Sequence, residues 1–137
     1  MFIDASAIIA ILLAEDGAEN LVTKIEAAKK PIHYSALTVF EAVSRLVGIT
    51  AGAQGLEERP VPAILWEQSQ ADVEALLETI GAREMTISGS LHRLALDAAR
   101  AFELSTGESF AYACAKSYRL PILTGSEALA RADIEIA

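Results

Sequence analysis

The chain has 137 residues, 53% of them hydrophobic, with one cysteine and 19 acids against 11 Lys and Arg, a formal charge of −8. That length fits a single domain, 1–137, with a core large enough to stand without disulfides, and the lone Cys114 points to a reducing cytoplasm. No uninterrupted apolar run reaches the roughly 18 residues of a membrane span, no secretory signal pattern is evident, and the acidic balance argues against a general nucleic-acid binder.

An enzyme that draws a nucleic acid in through bound Mg²⁺ or Mn²⁺ is still compatible with this charge, because the metal supplies the local positive potential. The apolar surplus predicts an interface with a second copy, a protein partner, or both.

In chain order, Met1–Asp4 reads as a short buried strand and Ala5–Ala14 as an apolar helix. Asp16 with Glu19 resembles a start signal for a helix over Gly17–Ala28. Pro31–Tyr34 is a second strand, and Ser35 opens a helix to about Gly48. Gly52–Pro62 reads as a loop, followed by a helix over about Ala63–Ile80. Glu84–Ile87 is a third strand. Ser88 is the expected N-cap of a helix to about Leu104, with Leu91, Leu94, Ala95, Ala98 and Phe102 on one face. Thr106-Gly107 starts a helix over Glu108–Tyr118, Leu120–Leu123 is a fourth strand, and Thr124-Gly125-Ser126 turns into Glu127–Arg131. Asp133–Ile136 is a candidate edge strand. Strands alternating with helices predict an α/β fold, a mainly parallel sheet of four to five short strands with helices on both faces.

In such sheets ligands bind beyond the carboxyl ends of the strands. Asp4, the segment Ser35 to Glu41, and the segment Thr124 to Glu127 follow strands, while Glu108 begins a helix after a turn. Several carboxylates converging on one or two hard cations is the donor set of two-metal phosphoryl transfer.

Each acid also has a plain structural role. Asp4 can cap the helix that follows, although an acid directly after Met-Phe-Ile is an expensive cap. Thr38 to Glu41 matches a capping box, and Glu41 to Arg45 is an i,i+4 ion pair in the favourable order. Glu108 and Glu127 sit near helix starts, where the macrodipole favours acids by about 0.3–1 kcal/mol. Asp133 reads equally as a solvated charge. Cys114, between two alanines, reads as core, and Trp66 as core or interface. His33 and His92 lack metal-ligand spacing, and no Gly-rich phosphate loop occurs.

Over essentially its whole length the sequence resembles the PIN-domain toxins of the VapC type. Met1-Phe2-Ile3-Asp4-Ala5-Ser6-Ala7 is similar to the family's opening, and Ser35-Ala36-Leu37-Thr38-Val39-Phe40-Glu41-Ala42 to its second motif. Thr106-Gly107-Glu108-Ser109-Phe110-Ala111-Tyr112-Ala113-Cys114-Ala115-Lys116 resembles the signature helix. Leu120 to Glu127 and Ala130 to Ile134 resemble the closing motif. Glu108 and Glu127 stand where the family usually has Asp, and the turn before Glu127 is one residue shorter than the common pattern.

The resemblance implies a PIN-like fold and a metal-dependent endoribonuclease toxin silenced by a cognate VapB-like antitoxin. It implies catalytic and metal-binding roles for Asp4, Glu41, Glu108 and Glu127, with Asp133 as the alternative or additional ligand and Mg²⁺ or Mn²⁺ as cofactor. Ser6, Arg45 and Lys116 are supporting residues, Ser6 orienting Asp4 and the two cations meeting phosphate or neutralising the site. The expected partners are RNA, the antitoxin, and a second copy in a homodimer or a hetero-oligomer with the antitoxin, with no membrane. A rival reading is a PIN scaffold whose chemistry is weakened by the two Asp-to-Glu replacements and which acts through its antitoxin and DNA-binding complex.

Overall fold

The structure is a computed structural model that describes residues 1–56 and 60–137. Its elements are β1 (Phe2–Ile3), α1 (Ala5–Leu12), α2 (Ala18–Glu26), β2 (His33–Tyr34), α3 (Ala36–Ala53), α4 (Ala63–Thr79), β3 (Arg83–Glu84), α5 (Leu91–Phe102), α6 (Thr106–Ser117), β4 (Ile122–Leu123) and α7 (Glu127–Ala130). The four strands form one parallel sheet in the order β3-β2-β1-β4.

Alternation along the short central strands decides where the helices go. Side chains of neighbouring strand residues point to opposite faces. Phe2 and Ile122 therefore join a core with Leu91, Ala95, Ala98, Ala113 and Cys114 of α5 and α6. Ile3 and Leu123 join the opposite core with Ile8, Ala42, Leu46, Val47, Val73 and Leu77 of α1, α3 and α4. Phe2, Ile3, Ile122 and Leu123 are all 0% exposed. Burying side chains of this size is worth about 1.5–3 kcal/mol each. The expected α/β architecture with both faces covered is what forms.

Several boundaries differ from those the sequence pattern predicts. α3 continues past Gly48 to Ala53, because Gly48 does not adopt the positive φ of a helix stop and Ala51 keeps the buried face going. The loop expected over 52–62 is thus partly helical at its start, and its residues 57–59 lie outside the described residues. β3 begins earlier and ends sooner than Glu84–Ile87. Gly81, at φ 63°, closes α4 with Gly81 N–H to Glu78 O at 3.0 Å and Ala82 N–H to Leu77 O at 2.9 Å. This Schellman turn feeds Arg83 straight into the sheet opposite His33.

Ser90, not Ser88, precedes α5, and its side chain makes no capping bond. α2 is entered through Gly17 at φ 90° without a side-chain cap, so the Asp16 signal is unused. The expected C-terminal strand is a single parallel bridge, Ile122 to Ile136.

Trp66 is 43% exposed and so is not core. Among the described residues, α3 alone is long and apolar enough to cross a membrane, over 18 residues. The helix nevertheless carries Glu41 and Arg45, and it buries Ala42, Val43, Leu46 and Val47 in the core.

Candidate active site

Asp4 leaves the carboxyl end of β1 and caps α1, accepting from Ala7 N–H at 3.0 Å. Its carboxylate is 3% exposed and takes three more hydroxyl contacts, from Ser6 at 2.8 and 2.9 Å and from Thr124 at 3.0 Å. Thr124 follows β4, the strand beside β1, so the tip of the next loop closes over the acid. Gly125 N–H donates to Ser6 Oγ at 2.9 Å, and Ser126 N–H donates to Thr124 Oγ1 at 2.9 Å. Burial holds the Asp4 carboxyl above its ordinary pKa, although the bonds from Ala7, Ser6 and Thr124 pull the other way.

Glu41 lies one turn into α3, after β2. The capping box expected at Thr38 to Glu41 does not form. Ser35 is the N-cap and Thr38 its reciprocal partner, which leaves Glu41 free to point elsewhere. The Arg45 pair does form, at 3.7 Å. Burial raises the Glu41 carboxyl, Arg45 lowers it, and the charges of Asp4 and Glu108 raise it further. Glu41, on α3, therefore senses the acids at the heads of α1 and α6.

Glu108 starts α6 as the third residue of a capping box with Ser105, its Oε2 accepting from Ser105 N–H at 2.9 Å. Its other oxygen accepts from the Ser126 hydroxyl. Burial pushes this carboxyl up, but the bonds from Ser126 and Ser105 outweigh it and the net shift is downward. Arg45 lowers all three acids, so it is the counter-cation common to them.

The remaining candidates sit apart to different degrees. Glu127 is exposed in the first turn of α7, one residue beyond Ser126. Among the described residues no hydrogen bond or ion pair joins it to the cluster. Asp133 pairs with Lys116 at 3.2 Å and accepts from Tyr112 Oη at 2.5 Å. Lys116 lies eight residues beyond Glu108 on the same helix, about 12 Å along it at ~1.5 Å per residue. The structure thus brings Asp4, Glu41, Glu108, Ser6 and Arg45 together, and places Asp133 and Lys116 with each other elsewhere.

Cys114 is fully buried, and burial pushes its thiol up to about 11, which suits a core residue and not a nucleophile. Thr124, Ser126 and Gly107 belong to the site without having been singled out individually. The first was signalled by its place directly after a strand, whereas the other two depend on contacts between distant segments.

The donor set suits a hard divalent cation. Three carboxylates share one region, two of them with pKa values raised by burial, and a cation relieves both costs. The Glu41 carboxylate is also packed closely against the first turn of α6, since a Cβ built at Gly107 would lie 1.6 Å from its Oε2. Among the described residues, however, no three His, Cys, Asp or Glu side chains are already gathered as one metal shell. Beside the cluster opens a cavity of about 330 Å³ whose lining includes Ser6, Asn20, Lys24, Arg45, Thr124 and Gly125.

A parallel α/β sheet with acids beyond the carboxyl ends of β1 and β2 and a third at the head of α6 is a frame that suits a small nuclease domain. The model of the PIN domain family matches residues 1–135, and the chain belongs to that family, in its VapC-type branch. It is 30% identical to a VapC ribonuclease of Rhizobium meliloti (strain 1021), covering 97% of this chain and 98% of the relative. Its fold is similar to the crystal structure of Mycobacterium tuberculosis VapC20, described as a toxin that cleaves the sarcin-ricin loop. That match has a TM-score of 0.70, 15% identity, and coverage of 99% of this chain and 97% of the other.

Proposed function

We propose that this protein is a metal-dependent endoribonuclease toxin that hydrolyses RNA phosphodiester bonds and is neutralised by a cognate VapB-like antitoxin. The observation that carries the reading is the shared electrostatic cluster of Asp4, Glu41 and Glu108 around Arg45, in a chain of this family. Asp4, Glu41 and Glu108 would hold Mg²⁺ or Mn²⁺, with Glu127 adjusting toward a second ion. When bound, such an ion supplies positive charge to the phosphate and acidifies the attacking water.

The chain's own residues do the rest. Ser6 and Thr124 fix the Asp4 carboxylate in one orientation, and Ser105 and Ser126 do the same for Glu108. Arg45 offsets the acids when no other cation is present and is close enough to meet a phosphate in the adjoining cavity, where Lys24 and Asn20 also face. Asp133 and Lys116, paired at the far end of α6, serve that end of the domain and not the reaction. Phe40, next to Glu41 and 68% exposed, offers apolar surface for the antitoxin beside the site it silences.

One observation favours the rival, a PIN scaffold with weakened chemistry. Glu108, standing in for the shorter acid, has both oxygens engaged by serines. Two measurements separate the readings. Cleavage of single-stranded RNA with Mn²⁺ is expected for the native chain and not for Asp4→Asn; equal rates sink the mechanism. Calorimetric titration is expected to show Mn²⁺ binding below millimolar, whereas its absence supports the scaffold.

A further inference from the structure

Gly107 is the second residue of α6, and its backbone lies outside the left-handed region that favours glycine. Alanine is the better helix former there, so helix geometry gives no reason for glycine. Gly48, within α3, has open space around its missing side chain. Gly107 does not. A Cβ at this position would lie 1.6 Å from Oε2, 2.1 Å from Cδ and 2.5 Å from Oε1 of Glu41. All three atoms belong to one carboxylate, so the volume that any other residue would fill with its first carbon is filled here by Glu41.

We infer that Gly107 is a positioning residue, whose missing side chain seats the Glu41 carboxylate against the first turn of α6 beside Asp4 and Glu108. The geometry also says how the device fails. What a new Cβ meets is the far end of a flexible side chain and not backbone, so α3 and α6 hold their places and the carboxylate swings away. The domain then keeps its fold and loses one acid from the cluster. For metal binding the inference rests on the reading proposed above, while the contact itself does not.

Two experiments on the full chain test it. In metal-free buffer, Gly107→Ala is introduced into the native background and into Glu41→Ala. With Glu41 absent, the added methyl acts only through helix propensity and the melting temperature rises by roughly 2–4 °C; with Glu41 present, the rise is smaller or reversed. Equal shifts in the two backgrounds overturn the contact. Mn²⁺ titration follows on the native chain, Gly107→Ala and the control Gly48→Ala. Moving a residue that orients a ligand commonly weakens metal binding by roughly 10–100-fold, and that loss is expected for Gly107→Ala with Gly48→Ala unchanged. Native-like affinity in Gly107→Ala overturns the positioning role. Failure of the native chain to bind Mn²⁺ strikes the metal reading instead, and the melting comparison still decides whether Gly107 seats Glu41.

Discussion

Replacing Asp4 by Asn removes a negative charge from a side chain that is 3% exposed, while its shape is kept. Asn and Asp are equally good N-caps, so the 3.0 Å bond from Ala7 N–H survives. The hydroxyls can rotate to suit the amide. Thr124 Oγ1 already accepts from Ser126 N–H and can also take the new N–H, turning its own proton toward Ser6 at 3.1 Å. Ser6 still accepts from Gly125 and donates to the remaining carbonyl oxygen. Every polar atom therefore stays paired, and the main change is the loss of a charge that burial disfavours.

The sign follows from the direction of the shift. Because the folded carboxyl has a raised pKa, Asp4 favours folding when protonated, and that contribution fades as pH rises through the folded value. Each unit of the shift is worth about 1.4 kcal/mol. Asp4→Asn should thus be as stable as the native chain or more so at pH 7, with the difference closing as the pH approaches 4. Asp4→Ala loses the cap, about 1 kcal/mol, and strands neighbouring donors at about 1–3 kcal/mol. Together these are about 2–4 kcal/mol, so its melting temperature should fall by roughly 8–16 °C, at ~4 °C per kcal/mol for this size. Thermal unfolding by circular dichroism in EDTA, from pH 4 to 7, measures all three proteins. An Asn variant less stable than native by over about 1 kcal/mol at pH 7 refutes the network argument, and a pH-independent difference refutes the charge argument.

Arg45→Ala should lower metal-free stability by no more than about 1 kcal/mol, since the arginine side chain is 47% exposed. Its melting temperature should then rise more on adding Mn²⁺ than that of the native chain, because the ion replaces the lost counter-charge. An equal or smaller rise removes Arg45 from that role. Asp133→Asn should leave Mn²⁺ affinity within about twofold, because it removes only an exposed surface pair with Lys116, away from the cluster; a large loss in titration would return Asp133 to the site. Cys114, with its thiol pushed up to about 11, should resist iodoacetamide at pH 8 in the folded protein and react after unfolding, as followed by mass spectrometry.

Much of the fold was legible because it rests on local pattern. Phe2-Ile3 and Ile122-Leu123 are short, wholly apolar runs bounded by polar or turn residues, and strands of a doubly covered parallel sheet read in that way. The misplaced boundaries fell where a single glycine decided the outcome. Gly48 reads as a stop in the sequence but sits on an open helix face, while Gly81 ends α4 and brings β3 forward. Asp4 and Glu41 were visible as acids beyond strands, and Glu108 as an acid at a helix start after a turn. Their ambiguity was real, because Asp4 and Glu108 do cap helices, and the cap is the very bond that orients each carboxylate.

Asp4 at the end of a buried strand, Glu41 early in the helix after the second, and Glu108 at the head of a helix were determined by the sequence itself. Spacing and hydrophobic pattern place Asp4 and Glu41 just beyond parallel strands, whose carboxyl ends face one way, and Glu108 at a helix start after a turn. Only the tertiary structure decided which of the other candidates join them. The sheet order sets β4 beside β1, so Thr124 reaches Asp4 across 120 residues and Ser126 reaches Glu108. The length of α6 carries Lys116 and its partner Asp133 to the far end. The space at Gly107 could be recognised only once α3 had packed its glutamate there, because which atom fills a gap is a property of contact and not of chain order.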